Sequence, residues 1–509
     1  MSMFLVAAAA TPTPTCPPPC EALRARVRGA FVCGAADVAN YSFGWGNRIC
    51  EGIRPACVLR PHNASDVSAA VRVAAETSTP LSYRSGGHSY TCNSIKPDSI
   101  HVDLRSLDEV KLQRSRFWNG TEIVAGTGTI MRELVDVLGP GQTIVHGQCP
   151  TVGTGGLFLH GGYHTTLTID YGRGNDTVTW MEVVTAEGAI VELSDASPHG
   201  DLWSAMRQAG SSFGIATRIA AKVFDVPPSR PTDGGDFFAL DVPRTRLLEL
   251  MDDAARERPG LPNYIHVNGV DFLIASASRD FGENAAWLEG VLGRKLSAKE
   301  WLRSKMVAEL QPAVSTAAGG ADARFGSSGA IPYLFSSQEA FATVSFIMPI
   351  GCYKLPRMRA LLAAVPEHRD NATDLGCYFQ VTSTYWPGFV FVDYNCAYDS
   401  PYYMARQRQL NAEVMQLCPA GMRRYYNTPS AFLKPSEYFP NYPELAAIKA
   451  KWDPNETFRV YQGIRPTGLP PDDYEFTRPS FVRQRSAADW VGEAGWDALK
   501  RFGILRRRS

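Results

Sequence analysis

Two glycine-rich turns constrain this chain more than any other feature. They are Arg84-Ser85-Gly86-Gly87-His88-Ser89 and Gly147-Gln148-Cys149-Pro150-Thr151-Val152-Gly153-Thr154-Gly155-Gly156. Each follows an apolar, strand-like run, and each carries one side chain able to bond a cofactor. Paired glycines let a backbone reach positive φ and come close to a ligand. Successive N–H groups in such turns make nests for a diphosphate. The usual dinucleotide fingerprint does not fit: its nearest match, Gly126-Thr127-Gly128-Thr129-Ile130-Met131, has Met where the third glycine is needed. Plainer readings stand beside this one. His88 can be a turn histidine bonded to backbone, and Cys149 a buried small hydrophobe or a disulfide partner.

The two turns, in this order and some sixty residues apart, resemble the flavin-binding signatures of the vanillyl-alcohol oxidase superfamily, in its berberine-bridge-enzyme-like branch. The resemblance implies FAD held covalently, by an 8α-histidyl link at His88 and a 6-S-cysteinyl link at Cys149. It returns at Arg424-Tyr425-Tyr426-Asn427-Thr428-Pro429 and along Tyr442 to Phe458, where a helix ends at Asp453-Pro454-Asn455 and the chain comes back to the flavin. The implied cofactor contacts are Arg84, Ser85, Gly86, Gly87, His88 and Ser89 in the first turn. In the second they are Cys149, Thr151, Val152, Gly153, Thr154, Gly155 and Gly156. Gly161, Gly162, Gly214, Ile215 and Asn427 complete the set.

Two positions depart from the family. Relatives often carry His directly after the second Gly-Gly, where Leu157 stands; His160 or His164 could substitute. Oligosaccharide-oxidising relatives place a catalytic Tyr after the Asn, where this chain has Thr428, which cannot act as a base at its free pKa. Tyr425 and Tyr426 lie on a returning strand, where alternation puts Tyr426 on the face of Thr428, which makes it the first candidate base and Tyr385 the second. Arg423 or Arg424 could lower the phenol pKa. Packing is the competing reading for both tyrosines.

Composition narrows the class. A length of 509 residues allows two domains with sizeable cores. A formal net charge of zero and a pI of 7.1 argue against a nucleic-acid partner. No apolar run approaches the ~20 residues that span a bilayer. The run Phe4-Leu5-Val6 and Ala7 to Ala10 resembles a weak secretory signal, without a basic start. Six sequons (at Asn40, Asn63, Asn119, Asn175, Asn371 and Asn455) and ten cysteines besides Cys149 favour a secreted, glycosylated, disulfide-bonded chain over a cytoplasmic one. Cys16-Pro-Pro-Pro-Cys20 fits neither zinc nor redox spacing and reads as disulfide-bonded. The resemblance implies a Cys33–Cys92 pair. His160 and His164 lack the Glu of a metalloprotease motif and sit beside two glycines, so no metal site is expected.

Along the chain, strand signals at 57–61, 99–104 (half-buried by alternation) and 122–126 alternate with helix signals at 63–74 and 129–138. A strand pair turns at Ala186-Glu187-Gly188, and a helix near 201–206 runs into Gly210-Ser211-Ser212-Phe213-Gly214. Beyond Val226 to Pro231, runs at 237–242, 264–270, 342–348 and 378–384 read as antiparallel strands, with helices at 244–256 and 401–417. The aromatics Tyr378, Tyr385, Trp386, Phe389, Phe391 and Tyr394 form either a stacking platform or core.

The expected fold class is α+β, with two domains: a PCMH-type FAD-binding domain and an antiparallel-sheet substrate domain backed by helices. The boundaries are 1–49 for a signal-like leader and N-terminal segment, 50–228 for the FAD-binding domain and 229–421 for the substrate domain. Residues 422–466 form the berberine-like segment, and 467–509 a tail, read first as a surface tail and second as a helix lying on a membrane surface. The function the resemblance implies is an FAD-dependent oxidase. It takes hydride from a C–H of a small-molecule carbohydrate or other alcohol and uses O2 as acceptor, giving hydrogen peroxide. An alkaloid or phenolic oxidoreductase of the same family, or a non-catalytic flavin-fold binding protein, are the alternatives. The oligomeric state is not legible.

Overall fold

The computed structural model describes residues 16–34, 38, 41, 50, 52–147, 149–164, 167–225, 238, 240–257, 266–268, 281–302, 304, 341–365, 377–383, 388–397 and 401–469. A mixed sheet is built from β1 (Ala30–Val32), β2 (Cys57–Arg60), β3 (Leu81–Arg84) and β4 (Ile100–Asp103), in the order β1-β2-β4-β3. β4 runs parallel to both β2 and β3. The helix Ala64–Glu76 links β2 to β3, and Asn63 caps it by accepting the N–H groups of Ser65 and Asp66. Its apolar stripe of Val67, Ala70, Val71 and Ala74 is buried, as its spacing predicts. β4 is not half-buried: with strands on both sides and a helix over it, all four of its residues are enclosed. Its polar members find partners, except that His101 Nε2 has no hydrogen-bond partner among the described residues. His101 Nδ1 meets Ser82 Oγ at 2.9 Å, and Asp103 pairs with Arg84 at 3.3 Å. Burial, with the Arg84 charge adding to it, pulls the His101 imidazole down to about 3.

A second, antiparallel sheet contains β5 (Val110–Arg114), β6 (Thr121–Gly126), β8 (Val178–Val184), β9 (Ile190–Ser194) and β10 (Ile215–Lys222), in the order β5-β6-β10-β8-β9. A short ribbon pairs β7 (Gln142–Thr143) with β11 (Phe224–Asp225). Helices Met131–Asp136, Thr154–Leu159 and Gly200–Ala209 share the core of this sheet. The first is shorter than the periodic pattern suggests, because Ile130 is extended at its N-cap.

The third sheet, also antiparallel, joins β12 (His266–Asn268), β13 (Phe341–Pro349), β14 (Cys377–Ser383) and β15 (Phe389–Ala397) in the order β12-β14-β15-β13. Helices Arg244–Glu257, Phe281–Leu292, Pro356–Ala363 and Pro401–Leu417 back it. Val344, Phe346 and Met348 of β13 and Val390, Val392 and Tyr394 of β15 fill the core against them. Tyr394 is thus core. Alternation turns Thr343, Ser345, Ile347, Phe391, Asp393 and Asn395 to the opposite face. The described residues between 237 and 242 form no strand; Phe238 and Leu240 are instead buried under the helices. The segment 226–231, the leader 1–15 and the tail from 470 lie outside the described residues. The architecture is α+β, with an antiparallel sheet backed by helices.

The disulfides correct the pairing implied by resemblance. Cys33 bonds Cys16 and Cys92 bonds Cys50, while Cys20 reaches Cys57 and Cys352 reaches Cys418. Cys33 follows β1, whose pairing with β2 brings it to the N-terminal helix Pro18–Arg24 and away from Cys92. Cys396 is also disulfide-bonded, and Cys377 lies opposite it in the β14–β15 register. Cys149 stands outside these disulfides. Of the sequons, Asn63, Asn119 and Asn455 are exposed. Asn175 is not an acceptor site as expected, because it is buried and donates its amide to Arg207 O at 2.7 Å. Asn40 and Asn371 fall outside the described residues.

Candidate active site

The two glycine turns lock onto each other. Ser85 Oγ donates to Thr127 O at 2.5 Å and accepts the Gly155 N–H at 3.2 Å. A Cβ on Gly86 would run into the backbone of Gly153 and Thr151, and one on Gly153 would strike Gly86 and Ser85. Glycine is needed at both positions because the two turns touch, a reason that a single-turn reading does not provide. We expect Gly86→Ala to abolish flavin retention in purified protein, because the turns must part to admit the methyl group. Flavin content equal to wild type would refute this.

The lock brings His88 to the second turn, where its Nε2 meets Thr151 Oγ1 at 3.0 Å. His88 is half-buried, and desolvation by the surrounding protein pulls its pKa to about 3. Burial thus favours the neutral imidazole over the protonated one. Cys149, two residues before Thr151, is partly exposed. A Cβ built at Gly156 would meet nothing within 4 Å, so space opens beside this wall.

The other expected contacts distribute as follows. Arg84 is committed to Asp103 and the Tyr41 carbonyl, so it stiffens the turn. Gly87 has φ of +77°, and Ser89 Oγ accepts the Asn93 N–H at 2.8 Å. Val152 packs on the core, and Thr154 Oγ1 bonds Thr129 O at 2.9 Å. Gly162 and Gly214 allow close packing, against Leu157 and β8 respectively. Gly161 takes φ of +70°, and Ile215 is buried at the start of β10. Tyr385 lies outside the described residues.

Leu157 is core, not a polar contact. His164 is buried, its Nδ1 accepting the Leu167 N–H at 3.1 Å. His160 enters a network instead. Its Nε2 lies 3.0 Å from Ser211 Oγ and accepts the Ser211 N–H at 3.3 Å. Its ring meets Tyr426 edge-on at 5.1 Å, and burial lowers its pKa to about 4. Asn427 Nδ2 donates to His160 O and to Tyr425 Oη.

The segment 425–428 is a turn, closed by Thr428 N–H to Tyr425 O at 3.1 Å, and not the returning strand that alternation assumed. Tyr426 and Thr428 therefore part company. Tyr426 packs among His160, Tyr438 and Phe439, with its hydroxyl 3.5 Å from Asn93 Nδ2. Thr428 donates to Ser345 Oγ of the third sheet at 2.9 Å. Desolvation pushes both the Tyr425 and Tyr426 phenols well above their usual value. Neither Arg423 nor Arg424 counters this: Arg424 donates to Ser345 O and Asn411 Oδ1, and Arg423 stacks on Phe389. Tyr425 meets Tyr163 at 5.0 Å and Phe391 at 6.1 Å, so the first half, the C-terminal segment and the third sheet converge here. Sequence reasoning passed over Ser345 and Asn93, which carry no local motif and gain significance only from register. Among the described residues, no three His, Cys, Asp or Glu side chains gather as a metal site.

Residues 55–194 match the FAD binding domain family, and residues 424–465 match the family described as berberine and berberine like. Among curated proteins, FAD-dependent monooxygenase FUP4 of Fusarium proliferatum is 34% identical over 179 residues, 35% of this chain and 34% of that one. Xylooligosaccharide oxidase of Thermothelomyces thermophilus is 33% identical over 177 residues, 34% of this chain and 35% of that one. The matched region spans about a third of the length of these relatives. Among solved structures, a chitooligosaccharide oxidase superposes with a TM-score of 0.67 at 19% identity, over 88% of this chain and 99% of its own. A glucooligosaccharide oxidase of Acremonium strictum, whose structure is titled as revealing a novel flavinylation, gives 0.66 at 18%, over 88% and 98%. This likeness shows that the chain shares the fold of these two proteins. Residues 55–194 thus carry an FAD binding domain, and residues 424–465 a berberine-like segment.

Proposed function

We propose that the chain is an FAD-linked oxidase that removes hydride from a C–H of a small carbohydrate or other alcohol. The observation that carries this is the locked pair of turns, which sets His88 against the Cys149 turn beside open space. Bound FAD would supply the hydride acceptor and, with dioxygen, the route to hydrogen peroxide. The chain's own residues do the rest. His88 and Cys149 would attach the isoalloxazine, and Ser85, Gly86, Gly153 and Gly155 fix the spacing of the turns that hold it. Tyr163, Phe391 and Tyr425 form an aromatic corner between the cofactor wall and the third sheet, where a sugar ring can lie. Tyr426 is better suited to positioning, since its hydroxyl is tied to Asn93 beyond the His turn.

No described helix is long and apolar enough to cross a membrane. The disulfides and the exposed Asn63, Asn119 and Asn455 support secretion as a glycoprotein. The test of function is peroxide release from a panel of xylobiose, cellobiose, chitobiose, simple alcohols and alkaloid amines, with anaerobic bleaching of the flavin absorbance alongside. Turnover of a disaccharide is expected. Turnover of amines alone would replace the carbohydrate assignment, and a stable yellow protein inert to the whole panel would sink the oxidase reading.

A further inference from the structure

The sequon Asn63-Ala64-Ser65 opens onto a groove that the candidate active site does not use. The groove holds about 450 Å³, within the range of small-molecule sites. One side is the face of the helix Ala64–Glu76 that carries Ser65, Ser68, Ala69 and Arg72, spaced as one helical face requires. The other side is Arg26 and the β8–β9 hairpin, at Gly188 and Ile190. Ser65 is both the hydroxyl residue of the sequon and the first groove residue on the helix. From Ser65 to Arg72 the helix advances about 10 Å, room for two sugar rings end to end.

The acceptor atom is turned outward. Asn63 Oδ1 accepts the N–H groups of Ser65 at 3.0 Å and Asp66 at 3.2 Å. Both partners are donors, so the atom facing the helix is the carbonyl oxygen, and Nδ2 points away from it. Capping and glycan attachment therefore use different atoms of one exposed side chain. Asn175 lacks this freedom, because its Nδ2 is spent on Arg207 O inside the protein.

The groove offers hydrogen-bond groups with little net charge. Arg26 is held by Glu76 through Nη1, at 3.0 and 2.7 Å. Arg72 Nη2 and Ser68 Oγ both donate to Gly188 O, at 3.2 and 2.5 Å. A guanidinium carries five donors, so each arginine keeps others for a ligand. Gly188 has φ of +75°, and a Cβ there would strike the Arg72 side chain, so hairpin and helix meet closely under the groove. Ile190 is 43% exposed, an apolar patch against which the C–H face of a sugar can rest. A neutral polyhydroxyl ligand fits this mixture better than an anion, which would meet an Arg26 already neutralised by Glu76.

We propose that Asn63 is glycosylated and that the two N-acetylglucosamine rings at the base of its glycan lie in this groove. This rests on the secreted-glycoprotein reading above. The donor is a lipid-linked oligosaccharide diphosphate. Asn63 Nδ2 gives up one proton to the transferring enzyme and bonds the anomeric carbon of the first sugar. The anomeric C–O bond breaks, the lipid diphosphate leaves with that oxygen, and nothing is oxidised or reduced. The first sugar is then tethered at the open end of the groove, so its docking is intramolecular and needs only weak contacts.

The test uses full chain secreted from a glycosylating eukaryotic host, as wild type, Ser65→Thr, Ser65→Ala and Ile190→Ser. Glycopeptide mass spectrometry should find Asn63 occupied in all but Ser65→Ala, which keeps the cap but loses the sequon. An endoglycosidase that cuts between the two basal sugars then reports on the groove. On folded protein it should trim Asn63 about fivefold faster in Ile190→Ser than in wild type, because one apolar wall is gone. The two should be trimmed at the same rate once unfolded. An unmodified Asn63 peptide, from secreted wild type that carries glycan at Asn119 or Asn455, would overturn the assignment alone. Equal trimming of folded wild type and Ile190→Ser would overturn the groove as the seat of the glycan. Secreted chain bearing no glycan at any sequon would remove the glycoprotein reading, and the proposal with it.

Discussion

Lys449→Met is expected to lower stability by about 3–5 kcal/mol, the largest loss from any single side chain in the C-terminal segment. Lys449 and Asp453 are both fully buried one turn apart on the helix Tyr442–Trp452 and its end. The ammonium donates to Asp453, to Ser212 O at 2.5 Å and to Phe458 O at 3.2 Å. Asp453 in turn accepts the N–H groups of Thr457 and Phe458. The pair therefore joins the end of this helix to the Gly210–Ser212 turn, on which His160 and Tyr83 also converge. Burial pulls the Lys449 pKa down while Asp453 pulls it back up, so the ammonium owes its charge to its partner. Replacing it with Met strands a carboxylate in the interior. The midpoint of thermal unfolding should fall by roughly 10 °C.

Two further outcomes distinguish this account from simple loss of packing. The stranded Asp453 would have its folded-state pKa raised above the unfolded value. Its penalty is then absent below the unfolded pKa near 4 and grows as pH rises, so the deficit should be smaller at pH 4.5 than at pH 7. Lys449→Met/Asp453→Asn should be more stable than Lys449→Met alone, because the buried charge is gone. Additive losses in the double variant, with no pH dependence in the single one, would reduce the pair to ordinary packing.

What the sequence made legible follows from how local each constraint is. The helix Ala64–Glu76 was readable because its cap, Asn63, and its apolar stripe lie within one short window. The two glycine turns were readable because close backbone approach permits so few residues, although that approach proves to be turn against turn. Disulfide connectivity was not readable: the β1–β2 pairing commits Cys33 to Cys16, and Cys92 is bonded to Cys50, neither of which spacing reveals. β4 misled because alternation signals one wet face only at an edge, and β4 is central and covered. Tyr426 misled for a different reason. Period-2 reasoning holds only while the chain stays extended, and the turn at Tyr425–Thr428 breaks it. The seat of Thr428 on Ser345 was invisible because it depends on where β13 runs in the third sheet, 83 residues earlier. Long-range register of this kind is what a single sequence conceals most thoroughly.

Acid precipitation is expected to leave the flavin on the wild-type chain, and on the chain carrying either His88→Ala or Cys149→Ala alone, and to release all of it from the double variant. The geometry behind this is the seat of His88 against Thr151, with Cys149 two residues upstream on the same turn. A neutral imidazole can attack carbon with a nitrogen lone pair, and desolvation keeps His88 neutral, with a pKa of about 3. A protonated histidine could not do so. A thiol can attack only as thiolate, so attachment at Cys149 should slow at low pH while attachment at His88 does not. Incubating apoprotein with FAD at pH 5.5 and at pH 8, then sequencing tryptic peptides by mass spectrometry, separates the two. At pH 8 both peptides should carry flavin; at pH 5.5 the His88 peptide should lead. Losing one link should also leave a single-link protein that binds flavin yet shifts its absorbance spectrum, since the two bonds attach to different parts of the ring. If folded wild type yields unmodified peptides around both residues, the flavin is held by the turns alone. If only the His88 peptide is modified, Cys149 is a packing thiol, and the open space at Gly156 serves a cofactor fastened on one side.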